Sequence, residues 1–403
     1  MTDPIYGKSI AVGVSGSIAC YKAIDLISKL VQAGAAVDVM MTKASLQFVT
    51  PNSFASITNR PVSTNLFDPN SEIGINHVAI AERSDIVIIA PATAQTMARL
   101  ALGFSDDPLT ATVLATSSPV LICPAMDGNM YSNPATQENI NKLAKRGYTI
   151  IGPEEGRLAS GLFGKGRLVE TSTILGHTRS IMGSDGDLKN KKIVISAGGT
   201  QEKIDPVRFI TNRSSGKMGY AIAEAARNRG AETIIVAAPN MQITPVGTRV
   251  KNVISAEDMK NAIVDECIDA DVIIMAAAVA DWKPKFVSKS KFKKNGSQTW
   301  DINLSRNPDI LAELDRNTIL KVGFAAESEN ILDNAIKKIR SKDLDLIAAN
   351  DISKEGIGFN SDNNKITLIN REGVVQELEL MSKYEIGNRI LDQVSDILSN
   401  RQK

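Results

Sequence analysis

The sequence predicts an α/β protein built from two tandem domains of the nucleotide-binding type. The same order of segments occurs over residues 9–41 and again over 192–237: an apolar strand, a polar or glycine-bearing turn, a helical stretch, a glycine and a second apolar strand. A further apolar strand follows in each half, at 85–90 (DIVIIA) and 271–276 (DVIIMA). Strands that alternate with helices are typical of a parallel sheet covered by helices. The length of 403 residues agrees with a division into two domains, because a single hydrophobic core stops growing at about 250–300 residues.

The composition favours a soluble protein. A formal net charge of +1 gives no support for a general nucleic-acid or membrane-surface binder. No apolar run reaches the roughly 18 residues that cross a bilayer, and the first strand begins at Ser9 without a charged-then-apolar leader. Cys20, Cys123 and Cys267 are scattered and odd in number. We therefore expect a cytoplasmic protein with neither a disulfide framework nor a zinc site.

The run 183–187 (GSDGD) separates the two halves. It is rich in turn-forming residues and poor in helix formers, which is typical of a linker. The predicted domains are therefore 1–186 and 187–403.

In the first domain, the turn after the first strand is a candidate phosphate site. Gly13, Ser15, Gly16 and Ser17 precede a helix that starts near residue 18, where backbone amides and the positive helix end favour an anion. The turn is not G-x-G-x-x-G, and Thr42, rather than an acidic residue, ends the next strand, so an NAD site is disfavoured. A glycine-rich turn present for steric reasons alone stays open as the alternative.

Two later segments are candidates for holding a flat cofactor. Residues 91–96 (PATAQT) follow a strand and could hydrogen-bond a heterocycle, although Thr93 could equally cap the helix 94–102. Residues 124–131 (PAMDGNMY) suit a loop over a cofactor, while core packing by the methionines is slightly favoured by spacing.

His77 is one of only two histidines, the other being His177. Because histidine titrates near neutrality, His77 is a candidate general base. A structural histidine is the alternative.

In the second domain, the long polar loop after strand 193–197 is the strongest functional candidate. Connections in α/β units usually span about 2–6 residues, and ligands bind at the carboxyl ends of the strands. An ordinary surface loop is the alternative. The candidate side chains are Thr200, Asp205, Arg208, Asn212, Arg213, Ser214, Ser215 and Lys217.

These motifs in this order resemble a family of bifunctional coenzyme A biosynthesis proteins. The resemblance is carried by GVSGSIACYKA, His77, PATAQT, PAMDGNMY, GRLASGLFGKGRL, SAGGTQEKIDPVRFITNRSSGKMG, AAAVADW, KFKK, NPDI, GFAAE and ANDISKEGIGFNSDNN, and covers nearly the whole chain. That family joins an FMN-dependent phosphopantothenoylcysteine decarboxylase to a CTP-dependent phosphopantothenate–cysteine ligase. It implies two Rossmann-like, three-layer domains, the first of them flavodoxin-like.

For the first domain the resemblance implies that the glycine turn takes the FMN phosphate, that PATAQT takes the flavin ring and that His77 is catalytic. Asp127 stands where many members have asparagine to hold the substrate carboxylate, and Ser160 stands where they have a proton-donating cysteine. An aspartate would repel that carboxylate unless protonated or turned away, and serine is far less acidic than a thiol. We expect the complete reaction with another proton donor, solvent or Tyr131. The implied FMN contacts are Gly13, Ser15, Gly16, Ser17, Thr42, Pro91, Ala92, Thr93 and Ala94.

For the second domain the resemblance assigns Asn212 to formation of an acyl intermediate. Lys291, in the run Lys291, Lys293 and Lys294, would offset negative charge on the phosphates. Mg²⁺ should bridge the CTP phosphates, with its protein ligands unassigned. The implied CTP contacts are Met275, Ala276, Ala277, Asp281, Lys291, Pro308, Asp309, Ile310, Leu311, Phe324, Lys338 and Lys342.

The implied reactions join 4′-phosphopantothenate to L-cysteine with CTP, through an acyl-cytidylate, and then decarboxylate the product with FMN to 4′-phosphopantetheine. The resemblance also implies a homo-oligomer, most simply a dodecamer that combines decarboxylase trimers with ligase dimers. An NAD-type oxidoreductase and a non-catalytic or partial-reaction flavoprotein joined to an active ligase are the alternatives.

Overall fold

The computed structural model describes residues 3–67, 76–293, 300–327, 331–351 and 361–401. The chain divides into two compact units, residues 2–182 and residues 183–403. Among the described residues, no helix combines the length and the apolar character needed to cross a membrane.

The first unit is built on a parallel five-stranded sheet in the order β2-β1-β3-β4-β5, and a separate antiparallel hairpin, β6–β7, follows it. Its strands are β1 (Ser9–Val14), β2 (Ala36–Met41), β3 (Ile86–Ala92), β4 (Val120–Pro124), β5 (Thr149–Ile150), β6 (Glu154–Arg157) and β7 (Phe163–Arg167). Its α-helices are α1 (Cys20–Gln32), α2 (Pro51–Thr58), α3 (Asn76–Arg83), α4 (Ala94–Leu102), α5 (Pro108–Ala115), α6 (Gly128–Ser132), α7 (Pro134–Lys145) and α8 (Thr171–Met182).

Side chains of this sheet alternate between two hydrophobic layers. Ile10 and Val12 of β1 join the layer formed with α1, α2 and α8, whereas Ala11 between them joins the layer formed with α3, α4, α5 and α7. Because both faces of each central strand are buried, the strands read as continuous apolar runs in the sequence. The first unit is therefore a three-layer α/β fold.

The second unit contains an eight-stranded sheet in the order β12-β11-β8-β13-β16-β17-β19-β20, in which β19 and β20 are antiparallel additions to a parallel sheet. Short two-stranded pairings join β9 to β10, β14 to β15 and β18 to β21. The strands of the eight-stranded sheet are β8 (Lys192–Ala197), β11 (Glu232–Ala237), β12 (Arg249–Asn252), β13 (Val272–Met275), β16 (Leu320–Glu327), β17 (Leu346–Asp351), β19 (Ile366–Asn370) and β20 (Gly373–Glu377). The short strands are β9 (Gln201–Lys203), β10 (Phe209–Thr211), β14 (Trp282–Pro284), β15 (Leu304–Arg306), β18 (Asn363–Asn364) and β21 (Met381–Ser382). The helices are α9 (Lys217–Arg227), α10 (Ala256–Glu266), α11 (Ile331–Ser341) and α12 (Lys383–Arg401).

Helices cover both faces of this sheet. Ile193 and Ile195 of β8 pack in the hydrophobic cluster that contains α9 and α12, whereas Val194 packs in the cluster that contains α10 and α11. The predicted α/β class is confirmed for both units, while the antiparallel strands β19 and β20 were not predicted.

The connection after α8 is an ordered part of the second unit. Leu188 is fully buried, and Asp187 accepts a hydrogen bond from the Arg229 guanidinium at 2.9 Å. A side chain at Gly186 would lie 2.5 Å from the Arg229 carbonyl oxygen. The run 183–187, which the sequence predicts to be a linker, therefore packs through Gly186 and Asp187 against Arg229, just after α9 of its own unit.

Candidate functional sites

The first unit has a cavity of about 490 Å³ bounded by the β1–α1 turn, the segment after β4 and the β6–β7 hairpin. Three of the predicted FMN contacts line it, namely Gly16, Ser17 and Thr93. The other predicted contacts are not part of its lining: Gly13, Ser15, Thr42, Pro91, Ala92 and Ala94.

Ser15 joins two turns instead of facing the cavity. Its side chain is fully buried, its hydroxyl donates to the Pro91 carbonyl at 2.7 Å, and it accepts from the Thr93 amide at 2.9 Å. Since both hydrogen bonds hold the β1–α1 turn against the end of β3, Ser15 positions Thr93 rather than contacting a ligand itself.

The glycines of the turn have packing reasons of their own. A Cβ at Gly13 would lie 2.6 Å from Leu109 Cδ1, and one at Gly16 would lie 2.5 Å from Ala44 Cβ. Gly13 is thus explained by sterics alone, whereas Gly16 is sterically required and also lines the cavity. Thr93 likewise has two roles. It lines the cavity, and its hydroxyl caps α4 by accepting from the Thr96 amide at 3.2 Å.

Asp127 and Ser160 meet at this cavity. The Ser160 hydroxyl donates to Asp127 Oδ2 at 2.8 Å, and the Asn129 amide donates to Asp127 Oδ1 at 3.0 Å. These hydrogen bonds, first that from Ser160 and then that from Asn129, hold the pKa of Asp127 below its usual range. The carboxylate is therefore ionised at neutral pH, and its two oxygens are both engaged within the protein.

The cavity is also lined by the cations Lys22, Arg157 and Arg167. Lys22 and Arg167 share the Glu170 carboxylate, at 3.0 Å and 2.7 Å. Sequence reasoning did not single these cations out. They lie within the motifs GVSGSIACYKA and GRLASGLFGKGRL, and the positive charges of these motifs could have indicated them as anion-binding residues.

The methionines of the β4–α6 segment lie at the cavity as well. Met126 and Met130 line it, and Met130 is 50% exposed. Core packing as the sole role of these methionines is therefore wrong for Met130. Tyr131 is not part of the lining.

His77 lies in a different cavity of the same unit. That cavity, about 400 Å³, is lined also by Leu66, Phe67, Ser105 and Leu114, and by neither Asp127 nor Ser160. The Nδ1 atom of His77 is buried and has no hydrogen-bond partner among the described residues. Within one chain, the structure thus does not bring His77 together with the Asp127–Ser160 pair.

The second unit has a larger cavity, about 790 Å³, at the carboxyl ends of β13 and β16 and under the loop that precedes α9. Asn212 and every predicted CTP contact except Lys291 line it: Met275, Ala276, Ala277, Asp281, Pro308, Asp309, Ile310, Leu311, Phe324, Lys338 and Lys342.

Hydrogen bonds to backbone groups shape the floor of this cavity. Ser196 and Thr200 accept from the amides of Ala277 and Ala280 at 3.0 Å and 2.9 Å. Asn212 Nδ2 donates to the Val279 carbonyl at 3.1 Å. The segment after β13 is consequently fixed both by the end of β8 and by the long polar loop.

The same floor leaves one acceptor atom available. Asn307 Nδ2 donates to the Ala280 carbonyl at 2.8 Å, while Asn307 Oδ1 is buried without a partner among the described residues. Because Asn307 lines the cavity, a ligand with a hydrogen-bond donor would satisfy that oxygen.

Lys291 is exposed and lies outside the lining of the cavity. The neighbouring Phe292 amide donates to Asp205 Oδ2 at 3.2 Å, so the lysine run does contact the polar loop, at Asp205. Lys294 lies outside the described residues. A catalytic role of Lys291 stays a prediction.

Cationic side chains dominate the charge of this cavity. Among the described residues, six of them line it against the two carboxylates of Asp281 and Asp309, which suits a polyanionic ligand. The cations are Arg213, Lys217, Arg306, Lys338, Lys342 and Lys383.

Comparison with known proteins agrees with this division. Residues 2–182 match the family model described as Flavoprotein, and residues 188–398 match the model for the DNA/pantothenate metabolism flavoprotein C-terminal domain. The chain is 43% identical over 398 residues to the coenzyme A biosynthesis bifunctional protein CoaBC of Vibrio vulnificus (strain YJ016), which covers 98% of this chain and 99% of the relative. The proteins of the same name from Bacillus subtilis (strain 168) and Escherichia coli (strain K12) are 43% and 41% identical, each covering 96% of this chain and 97% of the relative.

Two solved structures are also similar to parts of the chain. The C-terminal domain of a coenzyme A biosynthesis bifunctional protein CoaBC is 41% identical with a TM-score of 0.46, covering 53% of this chain and 99% of that domain. The FMN-dependent cysteine decarboxylase SpaF is 30% identical with a TM-score of 0.36, covering 40% of this chain and 91% of that protein.

A three-layer α/β unit that matches the Flavoprotein family, followed by a second three-layer α/β unit with a cationic cavity, defines a two-domain flavoprotein of pantothenate metabolism. Since the curated relatives match over nearly their whole length, the chain belongs to the family of bifunctional coenzyme A biosynthesis proteins.

Proposed function

We propose that this chain joins 4′-phosphopantothenate to L-cysteine with CTP and then decarboxylates the product to 4′-phosphopantetheine. We assign the decarboxylation to residues 1–186 and the ligation to residues 187–403. The observation that carries the proposal is the cavity of the second unit, which collects Asn212 and all the predicted CTP contacts apart from Lys291. The names of the relatives, which are bifunctional coenzyme A biosynthesis proteins, support it.

The ligation needs an activated carboxylate, because the oxygen of a free carboxylate is too poor a leaving group for an amine to displace. A carboxylate oxygen of the acid attacks the α-phosphorus of CTP, and pyrophosphate leaves with the electron pair of the broken P–O bond. The cysteine amine then attacks the acyl carbon, loses a proton and displaces CMP. Mg²⁺ brought in with CTP would offset charge on the phosphates.

The residues of the second unit fit the first of these steps. Asp281 and the backbone of 275–277 would bind the nucleoside, and Lys338 and Lys342 the phosphates. Lys342 pairs with Asp309 at 3.2 Å. A bound triphosphate would replace the Asp309 carboxylate as the anion beside Lys342. Preorganised cations placed where charge develops typically contribute several kcal/mol to such a step.

For the decarboxylation we propose FMN in the 490 Å³ cavity, with its phosphate at Gly16 and Ser17. The fit is supported by Gly16 and Ser17 of the turn before α1 and by the cations Lys22 and Arg167, all of which line this cavity. When bound, FMN supplies a reversible two-electron acceptor, which an amide-linked cysteine needs because it has no electron sink of its own. His77 would take up the thiol proton.

The separation of His77 from Asp127 and Ser160 supports a site completed by a second copy of the chain. We propose that His77 of one copy faces the cavity of another, within trimers of the first unit. With dimers of the second unit, the simplest closed assembly is a dodecamer. Light scattering tests the assembly, and a monomer would contradict it.

Shared sites can be tested separately by mixing two inactive variants. His77→Asn should lose decarboxylation while keeping FMN, and Asp127→Arg should block the cavity that Asp127 lines. Co-expressed in one assembly, the two variants should recover part of the activity, because some sites combine an intact His77 with an intact cavity. No recovery in a mixed trimer would place each site within one chain.

The whole proposal is tested by incubating the purified chain with 4′-phosphopantothenate, cysteine and CTP. Release of pyrophosphate, CMP and CO₂, together with the absorbance of bound FMN, is expected. The ionised Asp127 favours one second candidate, a flavoprotein half that binds FMN without completing decarboxylation. Amide product without CO₂ release would support that candidate.

A further inference from the structure

Lys321 is a buried lysine in the sheet of the second unit. Its side chain is 2% exposed, and it lies among apolar residues at the start of β16. Leu320 and Val322 pack in the cluster that contains α9 and α12, whereas Ile319 and Ala325 pack in the cluster that contains α10 and α11. Because side chains alternate along a strand, Lys321 belongs to the second of these faces.

The ammonium group of Lys321 donates to two backbone carbonyls of the segment that follows β15. Its Nζ atom lies 3.0 Å from the Leu311 oxygen and 2.9 Å from the Leu314 oxygen. Leu311 belongs to a short 3₁₀ helix, Ile310–Glu313, and Leu314 directly follows that helix. The last carbonyls of a helix lack a donor within the helix, and a cation at that end satisfies them and interacts favourably with the helix dipole.

The segment that Lys321 holds is part of the ligase cavity. Residues 308–311, all predicted CTP contacts, line the 790 Å³ cavity, and Lys321 does not. The hydrogen bond to the Leu311 carbonyl is itself buried. Lys321 therefore contacts the predicted nucleotide-binding backbone from the side away from the cavity.

The two ends of this segment are fixed by other groups. At one end, the Asn307 amide donates to the Asp281 carbonyl at 2.8 Å. At the other end, Arg316 Nε donates to Asp345 Oδ1 at 2.6 Å, and Asp345 Oδ2 accepts from the backbone amide of Lys321 at 2.9 Å. Between these two anchors, the Lys321 ammonium fixes the middle of the segment.

An ammonium group is costly to bury at this position. Burial lowers the pKa of Lys321, against opposing effects of Asp343, Asp345 and Asp315. A buried charge is tolerated when it is hydrogen-bonded, and a buried carbonyl that loses its donor carries a penalty of its own. An apolar side chain of the same length would fill the space but leave the Leu311 carbonyl without this donor, so the segment would have to shift.

We propose that Lys321 is a positioning residue for the nucleotide: it keeps residues 308–311 in the conformation that binds CTP, without touching CTP. This inference rests on the proposed ligase function, which assigns those residues to CTP. It requires that loss of the ammonium act on CTP affinity and not on affinity for the acid substrate.

The test measures binding of CTP and of 4′-phosphopantothenate to the full-length chain by calorimetry. Lys321→Met keeps an unbranched apolar side chain but removes the donor, so CTP affinity should fall about tenfold to hundredfold, as on loss of a charged hydrogen bond. Affinity for 4′-phosphopantothenate should stay unchanged. In turnover assays the KM for CTP should rise by the same factor at nearly constant kcat, and amide hydrogen exchange should become faster over 307–316.

Lys260→Met is the matched control. Lys260 reaches the same 3₁₀ helix by pairing with the Glu313 side chain at 2.9 Å, and this partly exposed pair leaves the backbone carbonyls untouched. Its loss should leave CTP affinity at the wild-type value, because partly exposed ion pairs contribute little.

A purely structural role of Lys321 gives a different result. Loss of stability in Lys321→Met with unchanged CTP affinity, or an equal loss of affinity for both ligands, would overturn the proposal. If tryptophan fluorescence shows that Lys321→Met does not fold, Lys321→Gln carries the same test. Lys321→Gln keeps a neutral donor, so it should also weaken CTP alone, and by a smaller factor. A wild-type chain that binds no CTP would instead overturn the ligase function itself.

Discussion

Ser160 donates its hydroxyl hydrogen to the Asp127 carboxylate at 2.8 Å, so the two positions at which this chain departs from the commonest family motifs are in direct contact. A thiol at 160 would be a weaker donor to that carboxylate than the hydroxyl is. The contact lowers the pKa of Asp127, and the neighbouring negative charge makes the serine still harder to deprotonate. Neither side chain can therefore act as the acid that protonates the product at neutral pH.

Asp127→Asn should improve decarboxylation at pH 7. The substitution removes a negative charge beside the expected position of the substrate carboxylate, so we predict a KM lower by about tenfold. The measurement is CO₂ release against substrate concentration in the full-length chain. Ser160→Ala is the control, since it removes the hydrogen bond but keeps the charge and should give no such gain. An unchanged KM in Asp127→Asn would show that the carboxylate is already turned away from the substrate.

Local features of the fold could be predicted from the sequence because they depend on neighbouring residues. The start of β1 and both bounds of α4 were predicted to the residue, since β1 is a continuous apolar run and α4 lies between the cap Thr93 and Gly103 in the left-handed region. The β6–β7 hairpin was not predicted, because its glycines at 156, 161, 164 and 166 dilute any strand pattern.

Side-chain roles were harder to predict, because they depend on distant contacts. Ser15 reads as a phosphate ligand, yet its hydroxyl is used by residues 76 and 78 positions away. Lys383 follows the loop before α9 by more than 160 residues, and no local pattern indicates that it lines the same cavity. Family resemblance pointed to residues that line this cavity as predicted nucleotide contacts, but not to Lys217, Lys383 and Asn350, which line it as well.

Gly16→Ala should destabilise the first unit more than Gly13→Ala. At Gly16 the new methyl would lie 2.5 Å from Ala44 Cβ and 2.8 Å from the Ala44 backbone, whereas at Gly13 the nearest atoms all belong to the Leu109 side chain, which can adjust more easily than a backbone can shift. We expect a cost of about 1–3 kcal/mol at Gly16, typical of overpacking, with weaker FMN retention. Chemical denaturation and flavin absorbance measure the two effects. Gly164→Ala, whose Cβ would meet nothing within 4 Å, is the control, and equal costs at all three glycines would contradict the prediction.

The burial of Lys383 predicts a pH dependence of stability. Its pKa is lowered from 10.5 to about 8 in the folded chain, so between these two values the unfolded chain binds more protons and stability rises with pH. Relative to Lys383→Met, the wild type should therefore gain on the order of 3 kcal/mol from pH 8 to pH 10.5, since one pKa unit is about 1.4 kcal/mol. Both tryptophans, Trp282 and Trp300, lie in the second unit, so their fluorescence follows its unfolding.

Lys365→Met is the matched control for the loss of one cation. Lys365 is a partly exposed lysine paired with Glu379, and its variant measures what loss of one exposed cation does to stability at each pH. A stability difference between wild type and Lys383→Met that does not vary with pH would contradict the burial of a charged ammonium.

Lys291→Gln tests the residue that the structure leaves outside the cavity. If its ammonium offsets charge on the leaving pyrophosphate, turnover should fall about 10²–10³-fold, as on removal of one stabilising donor. Lys289→Gln, an exposed lysine two residues away, is the control and should keep normal turnover. Normal turnover in Lys291→Gln would remove that residue from the site.

Asn212→Asp should separate the two halves of the ligation. Asn212 Nδ2 donates to the Val279 carbonyl at 3.1 Å, and a carboxylate there would face that carbonyl without a hydrogen to donate and would place negative charge beside an anionic intermediate. The predicted nucleotide contacts on α11 and after β15 are untouched, so pyrophosphate should still be released from CTP and 4′-phosphopantothenate in the absence of cysteine. Transfer to cysteine should fall by at least about tenfold, because the loop that fixes the segment after β13 loses a hydrogen bond whose unsatisfied acceptor costs about 1–3 kcal/mol. Pyrophosphate release with and without cysteine, run beside CMP and amide assays, measures both steps, and equal loss of both would assign Asn212 to formation of the acyl intermediate instead of transfer.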